Sequence, residues 1–564
     1  MLLFKNVQRL LDDIDKLLAI VSFKNNDIEQ GIKYFEDYLS TLQSRIEQNS
    51  NIDLLVNEKN DTIKVYKAFL LDAAKRNFAS KNWLTCAKCC KLLIKYNSRE
   101  HEVYKHAALC FRELKDYRMA LKLLEIYEKL EPADHLSLVY KAECYYSLDN
   151  EKYAQTAISL YKKFLEFNPN DAQVYNAIGN IYAGTIDFKE SNVERQMFYY
   201  NKALEYAPNQ CDIMRNIHLS LLKQGNLEAS IKVYDEIYKL YGSRFDHDCY
   251  FDYAAFQIYI GNFKRGWDYL DHRFLKEHGA TYYPKIDKPL WDGYRNIKSK
   301  TLLVHCEQGF GDNIMYVRFA KCMKKYAKKV VVRVPDELVE LFTESDLGVP
   351  VYSLKTPLSE IPFDYHIPML STPRVYKISP TNIPDTQGYL TVDRKRVEAY
   401  NYSYINTTKF KIGVCLEGAS HGVRELRDID WSCLDLLSKN KKIQLYCLKD
   451  TLTENDFKAI LPDVDIVCLG KTFNSFADTA ASIKNMDLII TTDNVILNLS
   501  GALGVKTLGL FNLQHEYRWH ALEKGTVIWY DSVVPIVAKK HNDWSYVIDE
   551  IVKYVNEVTG YSEN

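Results

Sequence analysis

The stretch Leu302–Ala320, LLVHCEQGFGDNIMYVRFA, decides the fold of the second half of the chain. Its apolar run Leu302–Val304 is typical of a buried strand in a parallel sheet, and the pattern that follows is that of an amphipathic helix. Gly309 and Gly311 allow a sharp turn between the two and keep the start of the helix free of side chains. Asp312 then lies where the helix begins, at the carboxyl end of the strand, where open α/β sheets bind their ligands.

The sequence leaves two roles open for Asp312. A carboxylate at this position could accept a proton from a substrate hydroxyl. Alternatively, Asp312 only caps the helix by accepting its orphan backbone N–H groups. The two glycines do not decide between these roles, because G-x-G without a third glycine is a weak dinucleotide signal.

Length and composition indicate a globular protein of several domains. The chain has 564 residues, too many for one hydrophobic core, so we expect about two to four domains. Hydrophobic residues make up 47% and charged residues 26%, as in ordinary soluble proteins. The formal net charge of -1 provides no basic field, which argues against nucleic acid as the main partner.

The cysteines and the N-terminal residues favour the cytoplasm. The 13 cysteines are an odd number and are scattered along the chain. Cys86, Cys89 and Cys90 cluster on a predicted helix without a second pair at zinc spacing, so we expect buried thiols and no metal site. The chain begins without a signal-peptide pattern and has no apolar run long enough to span a bilayer. We therefore expect a cytoplasmic protein without a transmembrane segment.

The N-terminal half repeats a pattern of two helices that ends in proline. Val103–Pro132, Val139–Pro169 and Val174–Pro208 each begin with Val-Tyr and carry aromatic residues in the second helix. The prolines are 37 and 39 residues apart, slightly more than the tetratricopeptide period of about 34, and the third unit has a polar insert at Gly184–Gln196. Further units are predicted at 212–241 and 249–274, with a degenerate one at 63–96. The pattern resembles the tetratricopeptide-repeat family.

Repeats of this kind predict a groove that holds an acceptor peptide or protein. Helix pairs cannot bury their apolar faces alone, so neighbours stack into a superhelix with a concave surface. Asn176, Asn180 and Asn216 lie on first helices, where their amides could bond an extended peptide backbone. Alternatively, they are solvated surface residues of an Asn-rich protein.

From Thr301 onward, predicted strands alternate with helices, which indicates two doubly wound parallel sheets. We expect the strands of the first sheet near 301–305, 329–334, 351–354, 364–367 and 389–392. We expect those of the second near 411–416, 443–448, 464–468, 487–492, 507–511 and 526–530. The polar segment Asn401–Thr408 is the predicted linker between them.

Two arginines follow the first strand of the second sheet, in Gly413–Arg427, GVCLEGASHGVRELR. Arg424 and Arg427 are well placed to bind a diphosphate, since a guanidinium group matches phosphate oxygens bidentately. Alternatively, they are exposed and pair with Glu417 and Glu425.

A second acid follows the strand Leu488–Thr492. Asp493 would face the same crevice as Asp312 and could bond sugar hydroxyls, while the N–H groups of the helix after it could hold a phosphate. Alternatively, Asp493 is an N-cap. After the next strand, Gln514–His520, QHEYRWH, combines polar and aromatic residues that could stack on a base or sugar, or only fill a loop.

Several of these segments carry a family likeness. Thr301–Phe319 resembles the E-Q-G-L-G-D-T-I-Q-F-x-R-Y block of bacterial tetratricopeptide proteins with a heptosyltransferase-like, glycosyltransferase family 9-like, C-terminal domain. Gly261–Phe274 and Pro289–Gly293 resemble the residues that lead into this block. Three further segments are similar to the family's R-x-x-R-S-I, F-A-D-T-A with D-T-A-V-A-H-L-A-G-A-L-G, and R-W motifs: Arg424–Ile429, Phe476–Gly504 and Arg518-Trp519. The likeness runs from about residue 261 to 520 in the family's order.

The resemblance implies a GT-B fold, a nucleotide-sugar donor and transfer without a metal or other cofactor. Carried over by position, Asp312 would be the general base and Asp493 would bind the donor, whose diphosphate Arg424 and Arg427 would meet. The other donor-binding positions that it implies are Gly309, Gly311, Asn494 and Asn498.

Two positions depart from the family pattern. Asn498 replaces its His and Asn494 its Thr. Asn can form hydrogen bonds but cannot titrate near neutral pH, so any proton-transfer role at these positions is lost.

We therefore expect an N-terminal α-solenoid followed by a GT-B-like pair of α/β units. The expected boundaries are a helical segment at 1–62, repeats at 63–275, an acceptor-side α/β unit at 276–400 and a nucleotide-sugar-side unit at 401–564.

The leading hypothesis is an inverting glycosyltransferase that modifies a Ser or Thr hydroxyl of a protein held by the repeats. Relatives with this layout include flagellin glycosyltransferases. One alternative is a non-catalytic repeat scaffold with a degenerate α/β region, motivated by Asn494 and Asn498. Another is a transferase acting on a glycolipid or saccharide, with the repeats serving only assembly.

Overall fold

The repeated pattern of the first half folds into consecutive helices. The computed structural model describes residues 27–48, 52–96, 100–184, 190–208, 210–276, 285–418, 427–520, 522, 525 and 527–562. By their contacts the residues divide into two compact units, 1–220 and 221–564. The helices that precede the first strand are α1 (Ile28–Gln48), α2 (Ile52–Ala79), α3 (Trp83–Lys95), α4 (His101–Glu113), α5 (Tyr117–Leu130), α6 (Leu136–Leu148), α7 (Asn150–Phe167), α8 (Ala172–Gly184), α9 (Glu190–Tyr206), α10 (Cys211–Lys223), α11 (Leu227–Tyr241), α12 (His247–Tyr259) and α13 (Phe263–Tyr269).

The pair α4 and α5 shows why the repeats fold as they do. Ala107, Ala108 and Ala120 are almost fully buried, and their small side chains let the two helices approach closely. Asp116 caps α5 by accepting the N–H of Met119 at 3.1 Å, which supplies about 1 kcal/mol at a helix start. The helix pairs predicted at 63–96, 103–132, 139–169, 174–208, 212–241 and 249–274 are all present as α2–α13.

The first α/β unit is a parallel sheet with the strand order β3-β2-β1-β4. Its central strand carries Leu302, Leu303 and Val304, none of which is exposed to solvent. The elements are β1 (Ile297–His305), α14 (Phe310–Tyr316), α15 (Arg318–Cys322), β2 (Ala327–Val334), α16 (Asp336–Glu344), β3 (Val351–Ser353), β4 (Tyr365–Pro368) and α17 (Thr372–Tyr376).

The second α/β unit is a parallel sheet with the order β7-β6-β5-β8-β9-β10. Counted within the unit this is 3-2-1-4-5-6, the order of a Rossmann fold, whose topological switch point lies between β5 and β8. The elements are α18 (Arg394–Tyr400), β5 (Phe410–Cys415), α19 (Leu434–Ser438), β6 (Ile443–Cys447), α20 (Glu454–Ile460), β7 (Ile466–Cys468), α21 (Phe476–Lys484), β8 (Leu488–Thr492), α22 (Val495–Ala502), β9 (Thr507–Phe511), β10 (Val533–Val537) and α23 (Ser545–Thr559).

Two predicted strands are wrong. Tyr389 and Leu390 donate their N–H groups to the carbonyl of Ala502 at 2.8 and 3.0 Å, so this extended segment bonds a helix end and not a sheet. The strand expected near 526–530 is replaced by β10, which pairs Pro535 with Gly509. Pro535 lacks a backbone N–H, which β10 tolerates because it is an edge strand. The run around Trp529 is apolar because it is buried by side-chain packing.

The contact division and the change of secondary structure fall at different places. A short 3-10 turn after α13 ends at Phe274, and β1 begins at Ile297, four residues before the predicted strand. The contacts, however, assign α11, α12 and α13 to the second unit. His520 explains this assignment in part, because its Nδ1 lies 2.9 Å from the carbonyl oxygen of Tyr259 in α12.

The predicted linker begins with a turn of π-helix at Asn401–Ile405, which continues α18. Among the described residues, no helix is both long and apolar enough to cross a bilayer. The cysteines of the predicted helix, Cys86, Cys89 and Cys90, are buried free thiols.

Candidate active site

A cleft lies over the switch point of the second sheet. It has a volume of about 780 Å³ and is lined from one side by Asp312 and from the other by Glu417, Arg427, Asp493 and Arg518. The carboxyl ends of β5 and β8 form its floor, and α14 of the first sheet forms the facing wall. This is the position at which an open α/β sheet binds its ligand.

Asp312 has two contacts in this cleft. Its Oδ2 accepts the N–H of Gly309 at 3.3 Å, so it does cap α14. Its Oδ1 lies 2.8 Å from Nε of Arg518. Both roles that the sequence left open are therefore sterically compatible: one oxygen holds the helix start and the other faces a cation in the cleft.

Arg518 joins the two α/β units across the cleft. Besides Asp312, it donates to Oε1 of Gln308 at 2.8 Å and contacts Oε2 of Glu516 at 3.2 Å. Burial works against its charge, but the negative neighbours Asp312 and Glu516 hold its pKa above the ordinary value. A fixed positive charge therefore sits beside the candidate base.

Glu516 extends this contact into a chain of alternating charges. Its Oε1 accepts a hydrogen bond from Arg427 at 2.6 Å, and Nε of Arg427 lies 3.8 Å from Oδ2 of Asp493. Three carboxylates and two guanidinium groups thus follow one another as Asp312, Arg518, Glu516, Arg427 and Asp493. The chain runs from the first sheet's helix to the switch point of the second sheet.

At the far end of this chain, Asp493 has a pKa above that of an ordinary aspartate. Burial raises its pKa to about 6, Arg427 lowers it and Glu516 raises it. The alternative that Asp493 is an N-cap is wrong, because the N-cap of α22 is Asn494.

Stability should therefore depend on pH through Asp493. Its pKa of about 6 in the folded chain exceeds the ordinary 3.8, so the native state binds the proton more tightly than the unfolded state does. Proton binding by Asp493 therefore stabilises the fold at low pH, and this contribution is lost as the pH rises from about 4 to about 6. As the pH rises from 4 to 7, the parent protein should lose on the order of 2 kcal/mol of its free energy of unfolding through Asp493. Asp493→Asn should not show this loss. Denaturant titrations of both proteins across this range would measure the difference, and parallel pH curves would contradict the prediction.

Asn494 and Asn498 have structural partners. Asn494 accepts the N–H of Ile496 at 2.8 Å and donates to the carbonyl of Cys415 at 3.1 Å, so it caps α22 and ties β8 to β5. Asn498 is buried and accepts a hydrogen bond from the hydroxyl of Tyr530 at 3.0 Å. Both also line the cleft, so their predicted donor contacts remain a prediction.

Gly309 and Gly311 line the same cleft. A Cβ at Gly311 would lie only 3.0 Å from Nδ2 of Asn498, so this glycine lets α14 approach α22. Its absence of a side chain brings the two α/β units together at the site.

The basic loop is only partly described. Arg424 and its alternative partner Glu425 lie outside the described residues. Arg427 is described, and it pairs with Glu516 and not with Glu417, whose carboxylate accepts a hydrogen bond from Trp431.

The three predicted acceptor-binding residues belong to the first unit. Nδ2 of Asn216 donates to Oδ1 of Asn176 at 2.9 Å, and the hydroxyl of Tyr200 donates to Oδ1 of Asn180 at 2.8 Å. Asn176 is buried, so it is not a solvated surface residue. The amides of Asn176 and Asn216, from two first helices, thus bond each other, and their contact with a peptide stays a prediction.

Sequence reasoning missed a buried ion pair behind the site. Nε and Nη2 of Arg273 donate to the two carboxylate oxygens of Glu307, each at 2.7 Å, and both side chains are 1% exposed. Glu307 also accepts the N–H of Leu370 at 3.0 Å, and Arg273 donates to the hydroxyl of Ser371 at 3.1 Å. Both residues stand in segments that carry the family likeness, HRF at 272–274 and EQG at 307–309, but the sequence does not show that Arg273 and Glu307 form an ion pair.

Glu516 was also missed as an individual residue, and Arg518 was named only as part of a family motif, without a role in the site. No set of three or more His, Cys, Asp or Glu side chains in the described ranges could hold a metal ion.

Comparison with known proteins gives relatives of two kinds. No family model matches the chain. Protein FlbA of Caulobacter vibrioides is 21% identical over 435 residues, which cover 69% of this chain and 67% of FlbA. The solved glycosyl transferase family 9 from Veillonella parvula covers 48% of this chain and 99% of its own at 13% identity, with a TM-score of 0.34. MamA from Desulfovibrio magneticus RS-1 covers 32% of this chain and 98% of its own at 14% identity, with a TM-score of 0.29.

The predicted fold class is confirmed by the helix pairs and the strand orders themselves. An α-solenoid-like region of repeats precedes two parallel α/β units, the second with the Rossmann order.

Proposed function

We propose that this protein is a glycosyltransferase that binds a nucleotide sugar in the cleft and transfers its sugar to a hydroxyl group of a protein. The observation that supports this most is the placement of Asp312 opposite Arg427 and Asp493, on the two sides of one cleft at a switch point. A volume of about 780 Å³ is within the range of about 300–1,000 Å³ that small-molecule sites occupy.

The donor's phosphate groups would lie between Arg427 and the start of α22. The free N–H groups at a helix N-terminus attract anions, and a guanidinium group binds phosphate oxygens through charge-assisted hydrogen bonds. Arg427 is held at the edge of the cleft by Glu516 and Asp493, so an arriving phosphate would compete with these carboxylates for it.

Asp312 would act on the acceptor. As the acceptor oxygen attacks the anomeric carbon, its proton passes to the carboxylate of Asp312. The new bond joins the acceptor oxygen to the sugar, the bond from the sugar to the phosphate oxygen breaks, and its electron pair leaves with the nucleotide. A single displacement of this kind inverts the configuration. Positive charge on Arg427 and Arg518 would stabilise the negative charge that develops on the phosphate.

The repeats would supply the acceptor. Stacked helix pairs bind extended segments of other proteins, and the exposed Asn180 and half-buried Asn216 offer hydrogen-bonding groups for a peptide backbone. The acceptor group would be a Ser or Thr hydroxyl, and the expected location is the cytoplasm, where nucleotide sugars are made available.

A thermal-shift screen followed by calorimetry tests the donor site. One nucleotide sugar should raise the melting temperature, since a ligand at a hundred times its Kd stabilises by about 2.7 kcal/mol. Arg427→Ala should weaken its binding roughly ten- to hundredfold, the value of charged hydrogen bonds. Arg427→Lys is the matched control. It keeps the positive charge but loses the bidentate geometry, so its Kd for the nucleotide sugar should lie between those of the parent protein and of Arg427→Ala.

Two outcomes would contradict this proposal. If no nucleotide or nucleotide sugar shifts the melting temperature of the parent protein, the α/β region is a scaffold without a donor site. If a donor binds equally well to Arg427→Ala, the phosphate lies elsewhere in the cleft.

A further inference from the structure

A second cavity of about 260 Å³ lies beside the main cleft. Arg427, Asp493 and Glu516 line both cavities, so the ion pairs among them form the partition. The other lining residues come from the end of β9 and from the segment that follows it, which includes Gln514 and Tyr517. The cavity therefore continues the carboxyl edge of the sheet from β8 to β9.

Two of these residues carry buried polar atoms whose hydrogen-bonding capacity is unused in the described part of the chain. Within the described ranges, neither Oε1 of Gln514 nor the hydroxyl of Tyr517 has a hydrogen-bond partner. Burial raises the pKa of Tyr517 to about 12, so its hydroxyl keeps its proton at neutral pH and can donate. Buried polar groups without partners are uncommon in folded proteins because each costs free energy, and a ligand that bonds them removes that cost.

We propose that this second cavity holds the glycosyl group of the donor, a polyhydroxylated ring attached to the nucleotide phosphate. The inference rests on the proposed function. It assigns to the sugar the segment Gln514–His520, for which the sequence left contacts to a base, contacts to a sugar and a purely structural role open. The two cavities share the wall that contains Arg427. A sugar bonded to a phosphate at Arg427 can therefore reach the second cavity by passing this wall.

The chemistry of the lining fits a sugar ring. Gln514, Asp493 and Glu516 offer oxygen acceptors, and Tyr517 offers a donor, so several hydroxyl groups can be bonded at once. Phe511 and the ring of Tyr517 provide apolar surface for the C–H face of the ring. The cavity is smaller than the about 300–1,000 Å³ of pockets that hold whole drug-sized ligands, which suits a single ring and excludes a nucleotide.

Donor binding would also open the partition. Arg427 holds Glu516 at 2.6 Å, and a phosphate that takes over Arg427 frees this carboxylate for a sugar hydroxyl. The phosphate and the sugar would then be recognised together.

Calorimetry with matched ligands tests the assignment. The probes are UDP and UDP-N-acetylglucosamine, GDP and GDP-mannose, and CMP and CMP-N-acetylneuraminate, each nucleotide serving as the reference for its own sugar. The variants are Tyr517→Phe, which removes one hydroxyl and keeps the ring, and Gln514→Leu, which keeps the size and removes the amide. Tyr402→Phe is the control, since Tyr402 is 83% exposed and lines neither cavity.

We expect at least one nucleotide sugar to bind more tightly than its nucleotide. Each cavity variant should raise the Kd of that nucleotide sugar roughly three- to tenfold, as expected for the loss of one neutral hydrogen bond. The Kd of the nucleotide should not change. The control should change neither Kd.

The remaining outcomes overturn the inference in distinguishable ways. If sugars add nothing to nucleotide binding, or if the variants weaken both ligands equally, the cavity is not the sugar site although the donor cleft stands. If the variants change only the KM for the acceptor, the cavity belongs to the acceptor. If no probe binds the parent protein, the proposed function fails first.

Discussion

Replacing Asp312 by Asn is expected to lower the turnover number about 10²- to 10⁴-fold, the usual contribution of a positioned general base. The amide keeps the shape of the carboxylate and can still accept the N–H of Gly309, but it cannot take the acceptor's proton. Because the proposed function puts the phosphates on the other side of the cleft, the Kd of the donor should change little. The measurement is nucleotide release from the identified nucleotide sugar in the presence of the acceptor, together with calorimetry of donor binding.

Asp456 provides a matched control for this variant. It occupies the same place in α20 as Asp312 does in α14, and its Oδ2 accepts the N–H of Thr453 at 2.8 Å. Asp456→Asn should therefore show the same loss of a charged cap, less than about 1 kcal/mol, with full turnover. If Asp312→Asn retains turnover, or if both variants lose it alike, Asp312 has no chemical role beyond the cap.

The second large effect concerns stability. Arg273→Met should lower the free energy of unfolding by about 3–5 kcal/mol, because it leaves the carboxylate of Glu307 buried without its partner. A surface pair gives the comparison: Lys264 lies 3.0 Å from Asp268 and is 90% exposed, so Lys264→Met should cost less than about 1 kcal/mol. Denaturant titration of the two variants would measure the difference.

A double variant shows whether the cost comes from the unpaired charge. Arg273→Met combined with Glu307→Gln removes both charges, and the Gln oxygen can still accept the N–H of Leu370. We expect this protein to recover at least half of the stability lost in Arg273→Met alone. A double variant no more stable than the single one would mean that Arg273 acts through packing and not through its charge.

The parts of the fold that could be predicted are those with a local signal. The strand, turn and helix at 302–316 were predictable because the apolar run, the glycines and the amphipathic pattern are contiguous. The start of β1 was predicted four residues late, because Lys298 and Lys300 are exposed and carry no apolar signal. Leu390 shows the converse limit: its segment has a strand-like pattern, but only the three-dimensional structure reveals that its N–H bonds a helix end.

The site was predictable in position and not in its pairing. Asp312 and Asp493 each follow a strand of a parallel sheet, and topology alone brings such residues to one edge. Their link through Arg518, Glu516 and Arg427 depends on side chains that are distant in sequence. No periodicity or spacing in the sequence indicates which acid pairs with which arginine, so only the three-dimensional structure reveals this chain of ion pairs.

The buried guanidinium of Arg273 changes what the first sheet can do. It touches Glu307 after β1 and Ser371 after β4, so it occupies the crevice at that sheet's own switch point. A free ligand would have to displace a group that is covalently tethered there and hence present at a high effective concentration. In the described part of the chain, the crevice of the first sheet is thus filled by a side chain from the segment before β1, whereas the crevice of the second sheet borders an open cleft.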